Sequence, residues 1–542
     1  MSTAAWRPLR HPLFRDLWIA AVASNIGTWM QNLGAAWLMT SLEPSPMMVA
    51  LVQTATSLPV LLIALPAGVL ADLVDRRRLL LLAEGWMLVA AAGLGVLTLA
   101  GVVTPWLLLA LTFVLGLGAA MNLPAWQAII SELVPRADLP AAVALSGVGF
   151  NIARALGPAL GGVVAAVSGP GPLFLLNAAS FVGVIVVLYR WERSPSKSLA
   201  PAERMIGALR AGLRYVRHAP TFQVVLLRTG LFIVCASALW ALLPLVARQR
   251  LGLGPAGYGV LLGALGAGAV IGADFLPGLR HRVSIDLLIS GATLVFALVT
   301  LALAYFGNFG LVCAVMMAGG FAWISVMSSL NVAAQTAVPH WVQARALGVY
   351  WLVFWGGMAA GSVVWGAVAG RWGIPVALMC AAGGLGIGLV AGTGRRLAAG
   401  ENLDLTPSLH WAEPQVIIEP HPEHGPVLVT VEYRIDPEKS NDFAEAMRPV
   451  SRMRRRDGAI RWGLFRDTTD PGRYLETFVV ESWAEHLRQH ERVTIADREA
   501  ETRARAFHIG DAPPVVFHLL AADARHERAR PGVKRRWRAH GS

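Results

Sequence analysis

The chain has 542 residues, of which 55% are hydrophobic and only 15% are charged, and its mean hydropathy is +0.54. A soluble globular chain of this length carries more charge, so the composition excludes that class. The formal net charge of +12 comes almost wholly from residues 1–393, which hold 22 Lys+Arg against 11 Asp+Glu. Those charges lie in short segments between apolar runs, and we therefore expect no nucleic-acid partner.

Twelve apolar runs follow one another along residues 1–393. A membrane-spanning helix needs about 20 apolar residues to cross a hydrocarbon core of about 30 Å, and it tolerates glycine. Runs of that length occupy residues 14–40, 47–71, 79–102, 106–131, 139–167, 171–190, 221–246, 257–279, 284–306, 309–337, 343–369 and 373–394. The sequence therefore predicts an all-α polytopic membrane protein with twelve transmembrane helices. The first run is too long for the apolar core of a signal peptide, so we expect it to remain as the first span.

Arginines mark one side of the predicted spans. The arginine-rich side holds Arg7, Arg10, Arg15, Arg76, Arg77, Arg78, Arg136, seven Lys or Arg from Arg190 to Arg217, Arg280, Arg282, Arg345, Arg395 and Arg396. The opposite side has only Arg248, Arg250 and Arg371. Because cytoplasmic loops are enriched in Lys and Arg, this asymmetry predicts a multi-pass protein of the cell inner (cytoplasmic) membrane, in contact with its lipids, with both termini in the cytoplasm.

The apolar region repeats itself at an offset of 204 residues. At that offset GVLADLVDRRR (68–78) aligns with GADFLPGLRHR (272–282), and Gly157 aligns with Gly361. Parallel repeats of this kind surround a central cavity and rock about it, which gives alternating access. The sequence therefore predicts two pseudo-symmetric six-helix bundles, at residues 1–190 and 221–396. A cytoplasmic linker at 191–220 connects them.

The segment 68–78 resembles the cytoplasmic signature of the major facilitator superfamily, roughly G-x-L-a-D-r-x-G-R-[RK]. The matching positions are Gly68, Leu70, Asp72, Arg76 and Arg77. The sequence departs from the signature at Leu73, where a basic residue is usual, and at Asp75, where glycine is usual.

This resemblance implies a conformational latch on the cytoplasmic face, formed by Gly68, Asp72, Arg76, Arg77 and Arg345. In the family, the acidic residue meets the start of the eleventh membrane span, here 343–369. Backbone amides and the helix dipole favour an anion at that position. Gly68 is expected to let the second helix end in close backbone contact with a neighbour. Such a latch favours the outward-open state; the alternative is a solvated turn.

The segment RALGPALGG (154–162) resembles the Gly-Pro motif found in the fifth helix of exporter branches. The matching positions are Gly157, Pro158, Gly161 and Gly162. A proline softens a helix and small residues allow close helix packing, although a generic kink is an equally good interpretation. The segments 25–46 and 122–145 further resemble the enterobactin-exporter-like, or transmembrane secretion effector, branch.

The resemblance implies a secondary active transporter that exports small amphipathic molecules, such as a siderophore, a drug or a secondary metabolite. An importer or a lipid transporter shares every feature seen in the spans, so substrate and direction stay open. The chain lacks the G-x-x-x-x-G-K-[ST] motif, which argues against ATP-driven transport. The family implies coupling to the proton motive force, and Glu84, about two turns into the third span, is the candidate proton site.

Few polar side chains lie within the predicted spans. A lipid-facing arginine at mid-depth costs about 2.5–3.5 kcal/mol, so Arg154, in the fifth span, should face the cavity or a buried partner. It either binds an anionic or carbonyl-bearing substrate or ties two helices together. The other candidates for the substrate cavity are Asn25, Gln31, Asn32, Gln53, Asn122, Gln127, Asn331 and Gln335. Each of these amides has an interhelical hydrogen bond as its alternative role.

The chain changes character after the last span. A polar linker at 397–426 leads to alternating strand and helix patterns over 427–525, followed by a basic, disordered tail at 526–542. The patterns follow the order βαββαβ, with a single helix over 483–507. This order predicts a ferredoxin-like α+β domain.

The segment 481–494 resembles the second helix of the antibiotic-biosynthesis-monooxygenase-type dimeric α+β barrels. The resemblance implies a homodimerising domain, and it leaves open an enzyme that acts on the cargo. His486 and His490 have a spacing that can bind a metal, but without a third ligand we expect a solvated helix face, with Trp462 on the surface as well. We therefore expect no catalytic residues, no metal and no cofactor, and a domain that tunes the transporter.

Overall fold

A computed structural model describes residues 3–191, 205–393, 397, 404–411, 414, 416, 420–510 and 512–522. The chain forms two compact units. The helical unit comprises Met1–Ile206, Thr221–Ala337 and Ala344–Asn402. The sheet unit comprises Gly207–Pro220, Val338–Gln343 and Leu403–Ser542. Two short segments from within the predicted membrane region therefore belong to the sheet unit.

Twelve long helices and one shorter helix, α7, precede the strands. They are α1 (Pro12–Leu42), α2 (Pro46–Leu73), α3 (Arg76–Leu99), α4 (Pro105–Leu133), α5 (Leu139–Ser168), α6 (Gly171–Arg190), α7 (Met205–His218), α8 (Pro220–Leu245), α9 (Pro255–Arg280), α10 (Ile285–Tyr305), α11 (Phe309–Thr336), α12 (Gln343–Trp372) and α13 (Ile374–Thr393). The helix α8 continues into a π-helical turn at Val246–Arg250. The amphipathic α7 lies inside the segment that the sequence predicts to be a linker.

Eleven helices in the described part of the chain are long and apolar enough to cross a membrane. The helix α1 is not among them, although it has 31 residues. Its amides, Asn25, Gln31 and Asn32, lower its hydropathy. It nevertheless packs along α5 and α6 as a member of the first bundle, so the predicted fold class is confirmed.

The internal repeat is visible in the helix bounds. The helices α5 (Leu139–Ser168) and α12 (Gln343–Trp372) correspond at both ends after a shift of 204 residues. Within the first half, α1 packs on α5 and α6, and α3 packs on α4 and α6. Within the second half, α11 packs on α9 and α10, and α10 also packs on α13. Contacts between α5 and α9 join the two halves.

Asp75 shows why the chain departs from the usual signature at this position. It is the N-cap residue of α3, and its side chain accepts a hydrogen bond from the Arg78 amide at 3.0 Å. Aspartate is among the preferred N-cap residues because its carboxylate satisfies one of the free amides of the first turn. The substitution therefore gives α3 a defined start.

A four-stranded antiparallel sheet and three helices form the described C-terminal part of the sheet unit. They are β1 (Val427–Arg434), α14 (Ser440–Asp457), β2 (Ala459–Arg466), β3 (Arg473–Val480), α15 (Trp483–Arg492), α16 (Ile495–Arg505) and β4 (Val515–Leu520). The strand order is β2-β3-β1-β4. This order confirms the predicted ferredoxin-like topology. The predicted basic tail at 526–542 lies outside the described residues.

The single helix predicted over 483–507 is wrong. The chain breaks between α15 and α16, where Thr494 caps α16 in a capping box with Asp497. An extended segment fills the break: Pro407 forms a bridge with Thr494, and the Ser408 amide donates to the Val493 carbonyl at 2.9 Å. This described part of the predicted linker is thus packed against the domain.

One face of the sheet is covered and the other is open. On the covered face, Val431 and Tyr433 of β1 pack with Phe443 and Met447 of α14. On the opposite face, four large apolar side chains are more than a third exposed: Phe465, Val515, Phe517 and Leu519.

Candidate functional site

Two of the predicted cavity amides are hydrogen-bonded between helices. The buried Gln31 of α1 accepts a hydrogen bond from Asn177 of α6. Asn122 of α4 donates to Glu84 of α3 at 2.9 Å. These bonds match the alternative role, an interhelical tie, and Asn177 is a partner that sequence reasoning missed. The sequence feature that could have identified Asn177 is that it is a single amide within an apolar span.

The other predicted cavity amides of this group bond within their own helix or lie in half-buried or exposed positions. Gln53 donates to Ser57 at 3.1 Å, one turn along α2. Gln335 donates to Asn331, one turn back along α11. Asn32 is half-buried, and Gln127 is exposed on α4.

An open recess lies within the first half, between α1, α4 and α5. Asn25 is the one predicted cavity amide that lines this recess. Trp18, Trp126 and Phe150 form its aromatic walls. The Trp18 indole already donates to the Leu145 carbonyl at 2.9 Å. This lining combines polar groups with apolar and aromatic surface, which suits an amphipathic molecule.

Arg154 is buried in α5, with 8% of its surface exposed. Its Nε and Nη2 are buried and have no hydrogen-bond partner among the residues that the structure describes. A built Cβ at Gly266 of α9 would lie 2.9 Å from the Arg154 carbonyl oxygen, so this part of α5 lies at the junction of the two halves. Because an arginine keeps its charge and its N–H groups, these two nitrogens can donate hydrogen bonds to a ligand.

The Gly-Pro motif of α5 forms close contacts on two sides. A Cβ at Gly157 would lie 2.6 Å from Trp29 Cβ, and one at Gly161 would lie 3.0 Å from Met30 Cα, both in α1. A Cβ at Gly162 would lie 2.9 Å from Gly259 Cα, across the interface with α9.

Pro158 completes this interface, because a Cβ at Gly259 would lie 2.5 Å from the Pro158 carbonyl oxygen. Only glycine permits this approach of backbones. The motif therefore joins α5 to its own bundle and to the other half.

Polar and aromatic contacts also join the halves at the span ends opposite the arginine-rich segments, here called the far face. Arg248, in the π-helical turn after α8, donates to Thr40 at 2.9 Å and to Ser41 at 2.7 Å, both at the end of α1. Its guanidinium lies 5.7 Å from the ring of Trp37, which stacks on Tyr258 of α9 with ring centroids 5.9 Å apart.

The helices α2 and α12 meet on the same side. The Thr54 hydroxyl donates to the Ala359 carbonyl at 3.1 Å, and a Cβ at Gly366 would lie 2.7 Å from that of Ala50. With the contacts of Arg248 and of Gly162, three helix pairs close the far face.

Two of the predicted latch residues, Arg76 and Arg77, bond within the first half. Arg76 forms an ion pair with Glu132 of α4 at 2.9 Å. Arg77 donates to the carbonyls of Leu188 and Tyr189 at the end of α6, at 2.7 and 2.6 Å. Arg345 lies in the first turn of α12. The side chain of Asp72 lies outside the described residues.

Among the residues that the structure describes, no close contact is found at Gly68. A Cβ built on Gly68 would meet no atom of the described residues within 4 Å. The described atoms thus leave space beside Gly68 at this end of α2.

Glu84 lies in α3 and only 2% of its surface is exposed. Its Oε1 accepts the hydrogen bond from Asn122, and Oε2 is buried without a partner in the described part of the chain. A carboxyl group in this state has one oxygen available to carry a proton.

A second recess lies within the second half between α8, α10, α11 and α13. Arg228 of α8 reaches it and pairs with Asp286 of α10 at 2.6 Å. Arg228 also donates to the Gly392 carbonyl of α13. Sequence reasoning singled out Arg154 and missed Arg228, which lies only two turns inside its span.

The sheet unit holds a histidine cluster that the sequence analysis placed in solvent. His486 of α15 is 1% exposed, and its ring lies 4.8 Å from that of His518 and 5.1 Å from that of His490. His490 is half-buried against Trp411, with ring centroids 5.0 Å apart. The expected solvated face is therefore wrong, because α15 turns these side chains towards the sheet.

These imidazoles are neutral at physiological pH. Burial lowers the pKa of His486 to about 3 and that of His490 to about 4, and neighbouring His518 adds to both shifts. The Nε2 atoms of His486 and His490 are buried and unpaired within the described residues. In that same part of the chain, no group of three or more His, Cys, Asp or Glu side chains is arranged to hold a metal ion.

A buried ion network lies beside the histidines. Arg454 bonds to Glu476 at 3.0 Å and to Glu501 at 2.7 Å. Burial alone would raise the pKa of Glu501, but Arg454 and the hydrogen bonds from His410 and Trp411 hold it at about 2. Trp462 is half-buried and donates to Glu476 at 3.0 Å, so the expectation that it is a surface residue is wrong.

Comparison with known proteins gives the family. Residues 3–527 match the family described as "Transmembrane secretion effector". The chain is 27% identical over 433 residues to the uncharacterized MFS-type transporter YfiS of Bacillus subtilis, across 75% of this chain and 100% of that protein. It is 28% identical over 386 residues to the enterobactin exporter EntS of Escherichia coli, across 69% of this chain and 89% of that protein.

Two solved structures share the fold. One is a mutant of the nucleoside transporter NupG, with a TM-score of 0.60 and 14% identity over 70% of this chain and 99% of that one. The other is a bacterial homologue of the human lysosomal transporter Spinster, with a TM-score of 0.56 and 15% identity over 73% of this chain and 96% of that one. The match over residues 3–527 shows that this chain belongs to the transmembrane secretion effector family of the major facilitator superfamily.

Proposed function

We propose that the protein exports small amphipathic molecules, of the siderophore, drug or secondary-metabolite type, across the cytoplasmic membrane. The observation that carries the proposal is the recess between α1, α4 and α5, with aromatic walls and the single amide Asn25. The similarity to an enterobactin exporter supports the export direction. Comparing the metabolites of cells and medium, with and without the chain, tests this function and identifies the cargo. Accumulation inside the cells would favour an importer.

Transport proceeds by alternating access in this proposal. The closed far face, held by Arg248 and by the Gly162–Gly259 contact, corresponds to a state that is open towards the cytoplasm. In the opposite state, the latch forms from Gly68, Asp72 and Arg345, and the free space beside Gly68 is filled by the approaching helix. Arg76 and Arg77 hold the segment through Glu132 and the end of α6.

Arg154 is the proposed cargo-binding cation. Its two free donors and its burial at the junction of the halves support a role in binding an anionic or carbonyl-bearing group. Asn25, Asn32 and Gln127 are the amides left to contribute polar contacts. Gln31 and Asn122 act instead through the helix packing that they stabilise.

Glu84 is the proposed proton site, with its bond from Asn122 setting the orientation of the carboxyl group. Proton binding between α3 and α4 would couple the packing of these helices to the proton motive force. Export that is insensitive to a protonophore would remove this part of the proposal.

The sheet unit homodimerises in this proposal and performs no chemistry. The apolar face with Phe465, Val515, Phe517 and Leu519 suits a second copy, since an uncovered sheet face of this kind favours association. A Phe517→Glu variant of the full chain in detergent should shift from dimer to monomer. The alternative, an enzyme domain, draws on the neutral histidines; oxygen consumption with a quinol-type substrate, lost in His490→Ala, would favour it.

A further inference from the structure

Two segments that precede spans of the second half belong to the sheet unit. The segment Gly207–Pro220 contains the end of α7 and reaches the first residue of α8. The segment Val338–Gln343 connects α11 to the first residue of α12. The C-terminal domain therefore packs with both connections.

An aromatic pair joins the two connections. The rings of Tyr215 in α7 and Trp341 pack edge to face, with centroids 5.9 Å apart. Tyr215 is 2% exposed although its helix is only 14 residues long. Cations from the domain cover both rings: Arg492 lies 4.4 Å from the Trp341 ring, and Arg456 lies 5.8 Å from the Tyr215 ring. A desolvated guanidinium over an aromatic face is a favourable contact.

Glu485 connects Arg492 to α7. It accepts hydrogen bonds from Arg492 at 2.6 Å and from Arg214 of α7 at 2.8 Å. Arg492 is 5% exposed and also donates to the Asp457 carbonyl at 2.7 Å. Removing one member of a buried ion pair is costly because the other charge stays buried. The contact is therefore specific and resists separation.

We propose that the C-terminal domain is a brace that fixes the α7–α8 connection to the α11–α12 connection, with Glu485 and Arg492 of α15 as its central contacts. Because α8 begins two residues after α7 ends, and α12 begins two residues after Trp341, the brace limits how far these span ends separate. The second half then keeps its arrangement at this face while the two halves rock. This inference does not rest on the nature of the cargo or on the direction of transport.

Hydrogen exchange on the full-length protein tests the brace. In Arg492→Ala, amides of α7 and of 338–343 should exchange at least about tenfold faster, because their cover is lost. The matched control is Arg488→Ala: Arg488 pairs with the same Glu485 from the same helix, with a side chain 46% exposed. In Arg488→Ala, the amides of α7 and of 338–343 should exchange at the wild-type rate.

Faster exchange in β1 would reveal that Arg492→Ala unfolds the domain. A second variant keeps the test valid in that case. Trp341→Leu lies outside the strands and helices of the domain, and it should raise exchange in α7 while β1 stays protected. Wild-type exchange in α7 and 338–343 in both Arg492→Ala and Trp341→Leu would overturn the brace. This readout needs no transport, so it fails or succeeds independently of the proposed export function.

Discussion

Arg248 donates a hydrogen bond to Thr40 over 2.9 Å and so joins the end of α8 to the end of α1. The two residues lie at the ends of the first spans of the two halves. The bond therefore links equivalent positions of the internal repeat. It crosses the interface that must open for a transporter to release cargo on the far face. A few polar contacts at an exposed end can break and re-form, which alternating access requires.

Replacing Arg248 should weaken the closure of the far face. Because Arg248 is exposed, solvent screening reduces the contribution of its hydrogen bonds to about 0.5–1.5 kcal/mol, so Arg248→Ala should shift the balance between states by roughly 2- to 10-fold. The reporter is a cysteine in place of buried Ala50, in a background without Cys235, Cys313 and Cys380. An impermeant maleimide should label it faster in Arg248→Ala. Arg250→Ala, on the same turn, is the control, and equal labelling in both variants would contradict the closure.

The Gly162–Gly259 contact gives a prediction with an internal control. Gly162→Ala places a methyl group 2.9 Å from Gly259 Cα, so α5 and α9 must separate. Export should fall by at least about tenfold, since a small misplacement at a packed interface carries a large cost. Gly147→Ala changes the same helix at a position with nothing within 4 Å and should export normally. Similar export by the two variants would show that the contact is dispensable.

Asp72 tests the latch from the opposite face. Because the helix dipole stabilises a carboxylate at a helix N-terminus more than a neutral amide, Asp72→Asn should slow transport while expression and folding stay near normal. Cysteines on the cytoplasmic side of the cavity should become easier to label. Normal turnover together with unchanged labelling would leave Asp72 as part of a solvated turn.

Hydropathy and the arginine pattern sufficed to predict the spans, because a bilayer imposes length and polarity on every helix. The same reasoning missed α7, which is short and amphipathic and whose Tyr215 is covered by Arg456, far away in sequence. The break after α15 had a readable signal, Thr494 followed three residues later by Asp497. It was hidden by the continuous helical pattern on both sides.

The site was predictable only in part. The sequence singled out Arg154 and the Gly-Pro motif because an arginine or a proline inside a span is unusual. It did not reveal that Gln31 and Asn122 bond to other helices, since an amide inside a span has the same sequence pattern in either role. The buried histidines were missed because α15 is rich in charged residues, and several of those charges are themselves buried in ion pairs.

The histidine cluster predicts how the stability of the sheet unit depends on pH. Burial lowers the folded-state pKa of His486 to about 3, below the unfolded value of about 6.5. The unfolded chain therefore takes up a proton first as the pH falls. The associated stability is complete above about pH 6.5 and is lost between about pH 6.5 and 3, by about 2 kcal/mol on going to pH 5.

His486→Gln should remove this part of the pH dependence. The measurement is the urea concentration at which β1 amides lose their exchange protection, at pH 7 and at pH 5. His421→Gln replaces an exposed histidine of the same unit and should keep the wild-type dependence. An unchanged dependence in His486→Gln would show that its imidazole does not become charged on unfolding.

The ratio of cargo in the medium to cargo in the cells tests the central claim most directly, once metabolite comparison has identified the compound. It should be measured in cells with equal amounts of the wild-type chain, of Arg154→Ala and of Arg154→Lys. Because the guanidinium offers donors in a planar array that lysine lacks, we predict a high ratio for the wild type, a partial ratio for Arg154→Lys and the ratio of cells without the chain for Arg154→Ala. A wild-type ratio in Arg154→Ala would contradict the account of export through a cavity that binds its cargo at this residue.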